Sequence, residues 1–169
     1  VRRILVIGPS GAGKSTLAAK LGSILKLPVI YLDKEHWKPG WIAPEQKEWR
    51  PVVSRLCARD SWVMDGNYSG SLDIRIPACD TVIFMDYHQP VYLWRVLKRV
   101  WKHRGEIRPD MAPGCPEQFD PGFMRWLWRF PRNTRPEMLR KIRAYGAGKR
   151  VIILRNQRQT DAFIASIGG

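Results

Sequence analysis

The chain is short of acid, of histidine and cysteine, and of long apolar runs, and each shortage closes a class of function. No stretch approaches the roughly 20 consecutive apolar residues that a membrane-crossing helix requires, so a soluble chain with no membrane partner is expected. Cys57, Cys79 and Cys115 are odd in number and share no metal-ligand spacing, which argues against a disulfide framework or a zinc cluster. Of the 3 histidines, His36 has no sequence neighbour with which to hold a metal. No internal repeat or linker divides residues 1–169, so one domain with one core is expected. Val1-Arg2-Arg3 leads straight into the first apolar segment without a signal or transit pattern, and a cytoplasmic location is expected. The scarcity of acid is uneven: net charge is +14, and between Arg95 and Arg143 there are 13 Lys/Arg against 5 Asp/Glu. Such a block attracts polyanions, either nucleotides or nucleic acid.

What is present is a phosphate cradle. Ile4 to Leu17 reads as an apolar strand, then Gly8-Pro9-Ser10-Gly11-Ala12-Gly13-Lys14-Ser15-Thr16, then an amphipathic helix, the full G-x-x-x-x-G-K-S pattern in strand-to-helix context. Glycines let successive backbone N–H groups face a phosphate chain unobstructed, and the helix adds the positive end of its dipole. Gly8, Ser10, Gly11, Ala12, Gly13, Lys14, Ser15 and Thr16 are the expected ATP-binding residues. Lys14 has the length to reach the β- and γ-phosphates, and the Ser15 hydroxyl is placed for Mg²⁺.

Four more apolar runs predict strands: Val29–Leu32, Ser61–Asp65, Thr81–Met85 and Val151–Leu154. With intervening helical periods they predict an α/β chain, a five-stranded parallel sheet with helices on both faces in the three-layer manner of P-loop NTPases. Asp33, Asp65 and Asp86 then emerge at the ligand-binding carboxyl edge, with Asp65 and Asp86 as rival metal acids. Asp33 to Trp41 reads as a binding loop whose Trp37 and Trp41 serve core packing or base stacking equally well. Pro44 to Arg59 reads as helix divided or kinked at Pro51. Arg75 has two readings, a phosphate contact or a pair with Asp73. From Gln89 a helix is expected with Leu93, Trp94, Leu97, Val100 and Trp101 as its apolar face and Arg95, Lys98, Arg99 and Lys102 as a basic stripe. Gly105–Gly122 reads as a loop or flap, Phe123–Phe130 as a short helix, and Thr134 or Pro136 as the start of another. The acceptor-binding insertion is expected at about 33–60 and a basic lid at about 102–133. No side chain stands out as a general base, which suits an acceptor that is already an ionised phosphate.

The loop, Leu32-Asp33 with Trp37-Lys38-Pro39-Gly40-Trp41, Asp65-Gly66-Asn67-Tyr68 with Arg75, Asp80 to Asp86 and the Arg95/Arg99 pair together resemble the adenylate-kinase-like P-loop proteins called DNA topology modulation proteins (FlaR-related). The likeness covers nearly the whole chain. It implies a nucleoside monophosphate kinase-like fold and Mg²⁺ held by Ser15 and Asp65. It also implies an acceptor pocket bordered by Asp33, Trp37, Trp41, Asn67, Tyr68 and Arg75, and phosphate or lid contacts from Lys14, Arg95, Arg99, Arg129 and Arg132. The leading expectation is an ATP- and Mg²⁺-dependent kinase of a small phosphorylated acceptor such as a nucleotide. The alternative is a nucleotide-binding regulator that holds DNA or RNA through the basic lid with little or no turnover.

Overall fold

The computed structural model describes residues 1–168. Strand β1 (Arg3–Ile7) shows how the layers form: Leu5 and Ile7 point into one core cluster, Ile4 and Val6 into the other. That is the period-2 alternation of a strand buried on both faces. The remaining strands are β2 (Val29–Tyr31), β3 (Trp62–Asp65), β4 (Thr81–Met85) and β5 (Arg150–Leu154). All pair in parallel, in the order β2-β3-β1-β4-β5. This is the five-stranded parallel α/β sheet that the sequence predicts.

On one face Leu5, Ile7, Trp62, Met64 and Phe84 pack under α3 (Gln46–Cys57), α4 (Leu72–Ala78) and α6 (Pro121–Tyr145). On the other, Val6, Val63 and Ile83 meet α1 (Lys14–Leu25), α5 (Gln89–Lys102) and α7 (Gln157–Gly168). Neighbouring strands β1 and β3 therefore send the chain to opposite faces. A crevice opens at their carboxyl ends, the switch point where open α/β sheets take ligands. Among the described residues no helix is long and apolar enough to cross a membrane.

Several elements differ from expectation. β2 stops at Tyr31, and Leu32–His36 winds into a short helix, α2, so Asp33 sits in its first turn. Helix α3 runs undivided through Pro51. The two helices expected after residue 122 are one, α6, passing through Pro131 and Pro136. Pro131 lacks the N–H that Leu127 would accept, and the Tyr92 hydroxyl approaches that carbonyl at 3.4 Å. The start of α6 is set by Asp120, whose carboxylate accepts from Gly122 N and Phe123 N.

Helix α5 is rotated from its expected setting. Of the expected apolar face Val100 is buried and Leu93 packs on the core, but Tyr92 and Val96 fill the rest of it, leaving Trp94 at 67% and Trp101 at 86% exposure. The helix carries apolar residues on two sides, and the side that fits under β1 and β4 is the narrower one. This rotation turns Arg95 and Arg99 toward the loop after β1.

Candidate functional site

The loop between β1 and α1 has the backbone its glycines allow. Gly11 and Gly13 adopt φ of +82° and +97°, values open to glycine and strained for other residues. A Cβ on Gly11 would lie 2.4 Å from the Tyr92 carbonyl oxygen, so the loop rests directly on α5. No side chain caps the start of α1, which leaves its first N–H groups for an anion. Lys14 Nζ donates to Pro9 O at 3.0 Å. Burial holds its pKa below the ordinary lysine value, against the pull of Asp65 and Asp33.

Ser15 Oγ donates to Asp65 Oδ2 at 2.6 Å, joining the first turn of α1 to the last residue of β3. Burial pushes the Asp65 carboxyl up to about 6, with Lys14 and the Ser15 hydrogen bond opposing. Its Oδ1 is buried without a partner. The rival acid Asp86 is committed elsewhere, since Arg135 grips both its oxygens at 2.7 Å. Among the described residues no three His, Cys, Asp or Glu side chains cluster as a metal site. Mg²⁺ needs no such cluster where phosphate oxygens and water complete its shell. A hydroxyl and a carboxylate with an unsatisfied oxygen, beside an anion cradle, fit that ion.

One cavity of about 960 Å³ runs from this loop past β3 to the segment 103–120. Of the residues expected in the site it takes in Ser10, Gly11, Gly13, Lys14, Ser15, Thr16, Asp33, Trp37, Trp41, Asp65, Asn67, Tyr68, Arg95 and Arg99. Arg95 reaches Ala12 O at 3.4 Å and lies over the Tyr87 ring, and Arg99 reaches Ser10 Oγ at 3.4 Å.

Asn67 Oδ1 accepts from Gly8 N at 3.3 Å, at the start of the glycine loop, and the Tyr68 hydroxyl donates to Asp33 Oδ1 at 2.6 Å. Burial beside Asp33 raises the Tyr68 phenol well above its ordinary pKa, so it remains a donor. Trp37 and Trp41 meet edge to face and also pack on Met111, Ala112 and Cys115 of the 103–120 segment, so they line the cavity and serve a small core at once. Trp41 Nε1 donates to Pro116 O and Gly40 N to Gly114 O, tying that segment to the binding loop. His36 lies against Trp37, Trp49 and Tyr68, where burial lowers its pKa; it is a neutral packing imidazole.

Three arginines fall elsewhere. Arg75 is fully buried beneath the wall, and neither expected partner is its own: it donates to Gly66 O, Asn67 O and Tyr68 O, each at 2.7 Å, and to Ser71 Oγ. Asp73 pairs with Arg50 instead. Tyr68 has φ +22°, an uncommon conformation for a bulky residue that persists only when its surroundings over-determine it. Arg75 is that surrounding. Arg129 and Arg132 lie on the exposed side of α6, because Leu127, Phe130 and Thr134 take its inner side.

Other groups enter that no sequence signal marked. Arg108, Asp110 and Glu117 come from a stretch without periodicity, where no face can be assigned, yet all line the cavity. Glu117 is nearly buried: Arg99 Nη2 donates to its Oε1 at 3.1 Å, and Arg108 Nε lies 2.8 Å from its Oε2. The other arm of Arg108 meets Asp110 at 2.9 Å. The lid expected to be plainly basic thus carries its own acids into the site.

No protein-family model and no curated protein sequence matches the chain. Solved structures do match it in fold. Shikimate kinase from Acinetobacter baumannii in complex with shikimate aligns over 99% of this chain and 90% of its own at 18% identity, TM-score 0.61. Shikimate kinase from Bacteroides thetaiotaomicron aligns over 98% and 96% at 16% identity, TM-score 0.54. Deoxyadenosine kinase from M. mycoides with bound dCTP aligns over 98% of both chains at 11% identity, TM-score 0.51.

Proposed function

We propose that this chain is an ATP- and Mg²⁺-dependent phosphotransferase that passes the γ-phosphoryl group to a small acceptor. The observation that carries the reading is the 2.6 Å contact of Ser15 with Asp65 at the foot of the glycine loop, opening on a cavity that also holds Asp33 and an aromatic wall. The loop N–H groups and Lys14 hold the triphosphate. Ser15 and Asp65 hold Mg²⁺, which when bound offsets charge on the phosphate oxygens. Arg95 and Arg99 approach the loop from α5, where positive charge stabilises a moving phosphoryl group. In this reading residues 33–60 form the acceptor wall, and residues 102–133 form a lid that excludes water as a competing acceptor. The fold is shared with kinases named for shikimate and deoxyadenosine, and the resemblance to adenylate-kinase-like proteins supports the same chemistry.

Stabilisation against heat by Mg-ATP is the test. The parent gains a raised melting temperature, and Lys14→Ala keeps the fold and loses that gain. An equal gain in the variant would refute the assignment of the loop.

One observation favours a second role in polyanion binding: Arg125, Arg129 and Arg132 lie exposed on α6, outside the cavity. That reading, in line with the family's association with DNA, predicts duplex binding that weakens steeply with salt. Indifference to DNA at low salt would remove it.

A further inference from the structure

We infer that the outer sides of α5 and α6 form a docking surface for a bilayer containing anionic phospholipid, on which the chain lies without crossing it. Among the described residues none on this surface lines the cavity, and the surface is independent of the phosphotransferase reading.

The rotation of α5 leaves a line of large apolar side chains in solvent. Val91, Trp94, Leu97 and Trp101 are all exposed, and their spacing of three and four residues sets them on one side of the helix. The core does not use them, because Tyr92, Val96 and Val100 fill it from the inner side. By the rise of a helix the line is about 15 Å long. On α6 the exposed residues Arg125, Trp128, Arg129 and Arg132 likewise share one side. Gln89 Nε2 donates to Trp128 O at 2.6 Å, so the two helices adjoin there.

The ionisable groups of this surface are all of one sign. Exposed Lys98 and Lys102 belong to α5, which contains no acid, and α6 contains none from Pro121 to Pro136. Lys98, Lys102, Arg125, Arg129 and Arg132 take part in no ion pair among the described residues. Their inward neighbours differ: Arg99 is paired with Glu117 and Arg135 with Asp86.

An anionic bilayer answers both halves of this pattern. Tryptophan and leucine enter the boundary between headgroups and acyl chains, while lysine and arginine meet the lipid phosphates. A second copy of the chain would set these cations against their own kind across a two-fold interface. A nucleic acid would use the cations and the indole rings, but Val91 and Leu97 have no flat face on which a base can stack. The expectation of no membrane partner rested on the lack of a long apolar run, and lying on a bilayer requires no such run.

The test is sedimentation of the full chain with vesicles of phosphatidylcholine alone or of phosphatidylcholine and phosphatidylglycerol in equal parts. The chain binds the mixed vesicles and not the neutral ones, and lipids brominated on their acyl chains quench its tryptophan fluorescence. Trp94→Ala with Trp101→Ala, at exposed positions, keeps the parental melting temperature and lowers vesicle partition roughly tenfold or more at unchanged charge. Lys98→Gln with Lys102→Gln lowers it roughly tenfold. Arg55→Gln with Arg59→Gln, an equal loss of charge at exposed positions in and just after α3, lowers it roughly threefold or less. Absence of binding to the mixed vesicles at low salt overturns the inference, as does binding that the tryptophan variant leaves unchanged. A dimer that the tryptophan variant loses would then assign the surface to a second copy, and single-stranded DNA binding that it loses would assign it to a nucleic acid.

Discussion

Replacing Asp65 by Asn should stabilise the ligand-free protein at neutral pH while abolishing its response to Mg-ATP. The carboxyl is raised from an ordinary value of 3.8 to about 6, chiefly because it is buried. Each tenfold change in proton affinity is worth about 1.4 kcal/mol. Keeping Asp65 ionised in the folded state therefore costs about 3 kcal/mol relative to the unfolded chain. The sign follows from the raised value. The folded state holds the proton more tightly, so the group favours folding most below its ordinary pKa, and that advantage is lost as pH rises toward 6. Asparagine stays neutral and can still accept from Ser15. In urea unfolding the variant should exceed the parent by about 3 kcal/mol at pH 7.5, a midpoint shift of about 1 M or more, and the gap should close toward pH 4. Calorimetry on the same preparations should find the parent's Mg-dependent nucleotide affinity lost in the variant. A gap of the opposite sign, or one indifferent to pH, would refute the cost in stability assigned to the buried Asp65 carboxylate.

Arg75→Met removes the donors of three loop carbonyls and should destabilise by about 3 kcal/mol or more, read in urea; a variant of parental stability with only a raised KM would instead return Arg75 to a substrate role. Gly11→Ala forces a left-handed backbone and a Cβ onto the Tyr92 carbonyl, which should cost about 2 kcal/mol or more and show as a lower melting temperature. Arg99→Ala should lower kcat by about a hundredfold, whereas Arg129→Ala and Arg132→Ala leave it unchanged in the same assay. Equal effects at all three would mean that α6 turns its outer side inward during turnover.

How much of the site could be read in advance depended on how local its physics is. The glycine loop's backbone and place were legible, because the loop is made of consecutive residues between β1 and α1 and its glycines stand where φ is positive. The five strands were legible because each appears as an apolar run between turn signals; β1, β3 and β4 are buried on both faces, whereas Val151 and Ile153 of β5 are exposed. Asp65 followed as the last residue of β3, whereas Asp33, expected at the end of a strand, lies in the first turn of α2. The α5 face was misread because Trp94, Leu97 and Trp101 satisfy a helical period as well as Tyr92, Val96 and Val100 do; which set is buried depends on the surface offered by β1 and β4. The expected break in α6 failed for a related reason, since tertiary packing of Phe130, Thr134 and Met138 holds the helix through its two prolines.

Local sequence thus determined that this chain sets a glycine-rich strand-to-helix loop on a parallel sheet, since period and spacing act over a few residues. Pairing between distant side chains was decided only by the tertiary structure. Asp86 was withdrawn from the metal question by Arg135, 49 positions away. Arg75 was drawn under the wall, and Glu117 was brought to Arg99 and Arg108. A charge has no address in sequence: whether an arginine meets phosphate, a carboxylate or solvent depends on what the folded chain sets opposite it. The charge balance of the cavity came from that pairing, and no count of basic residues contains it.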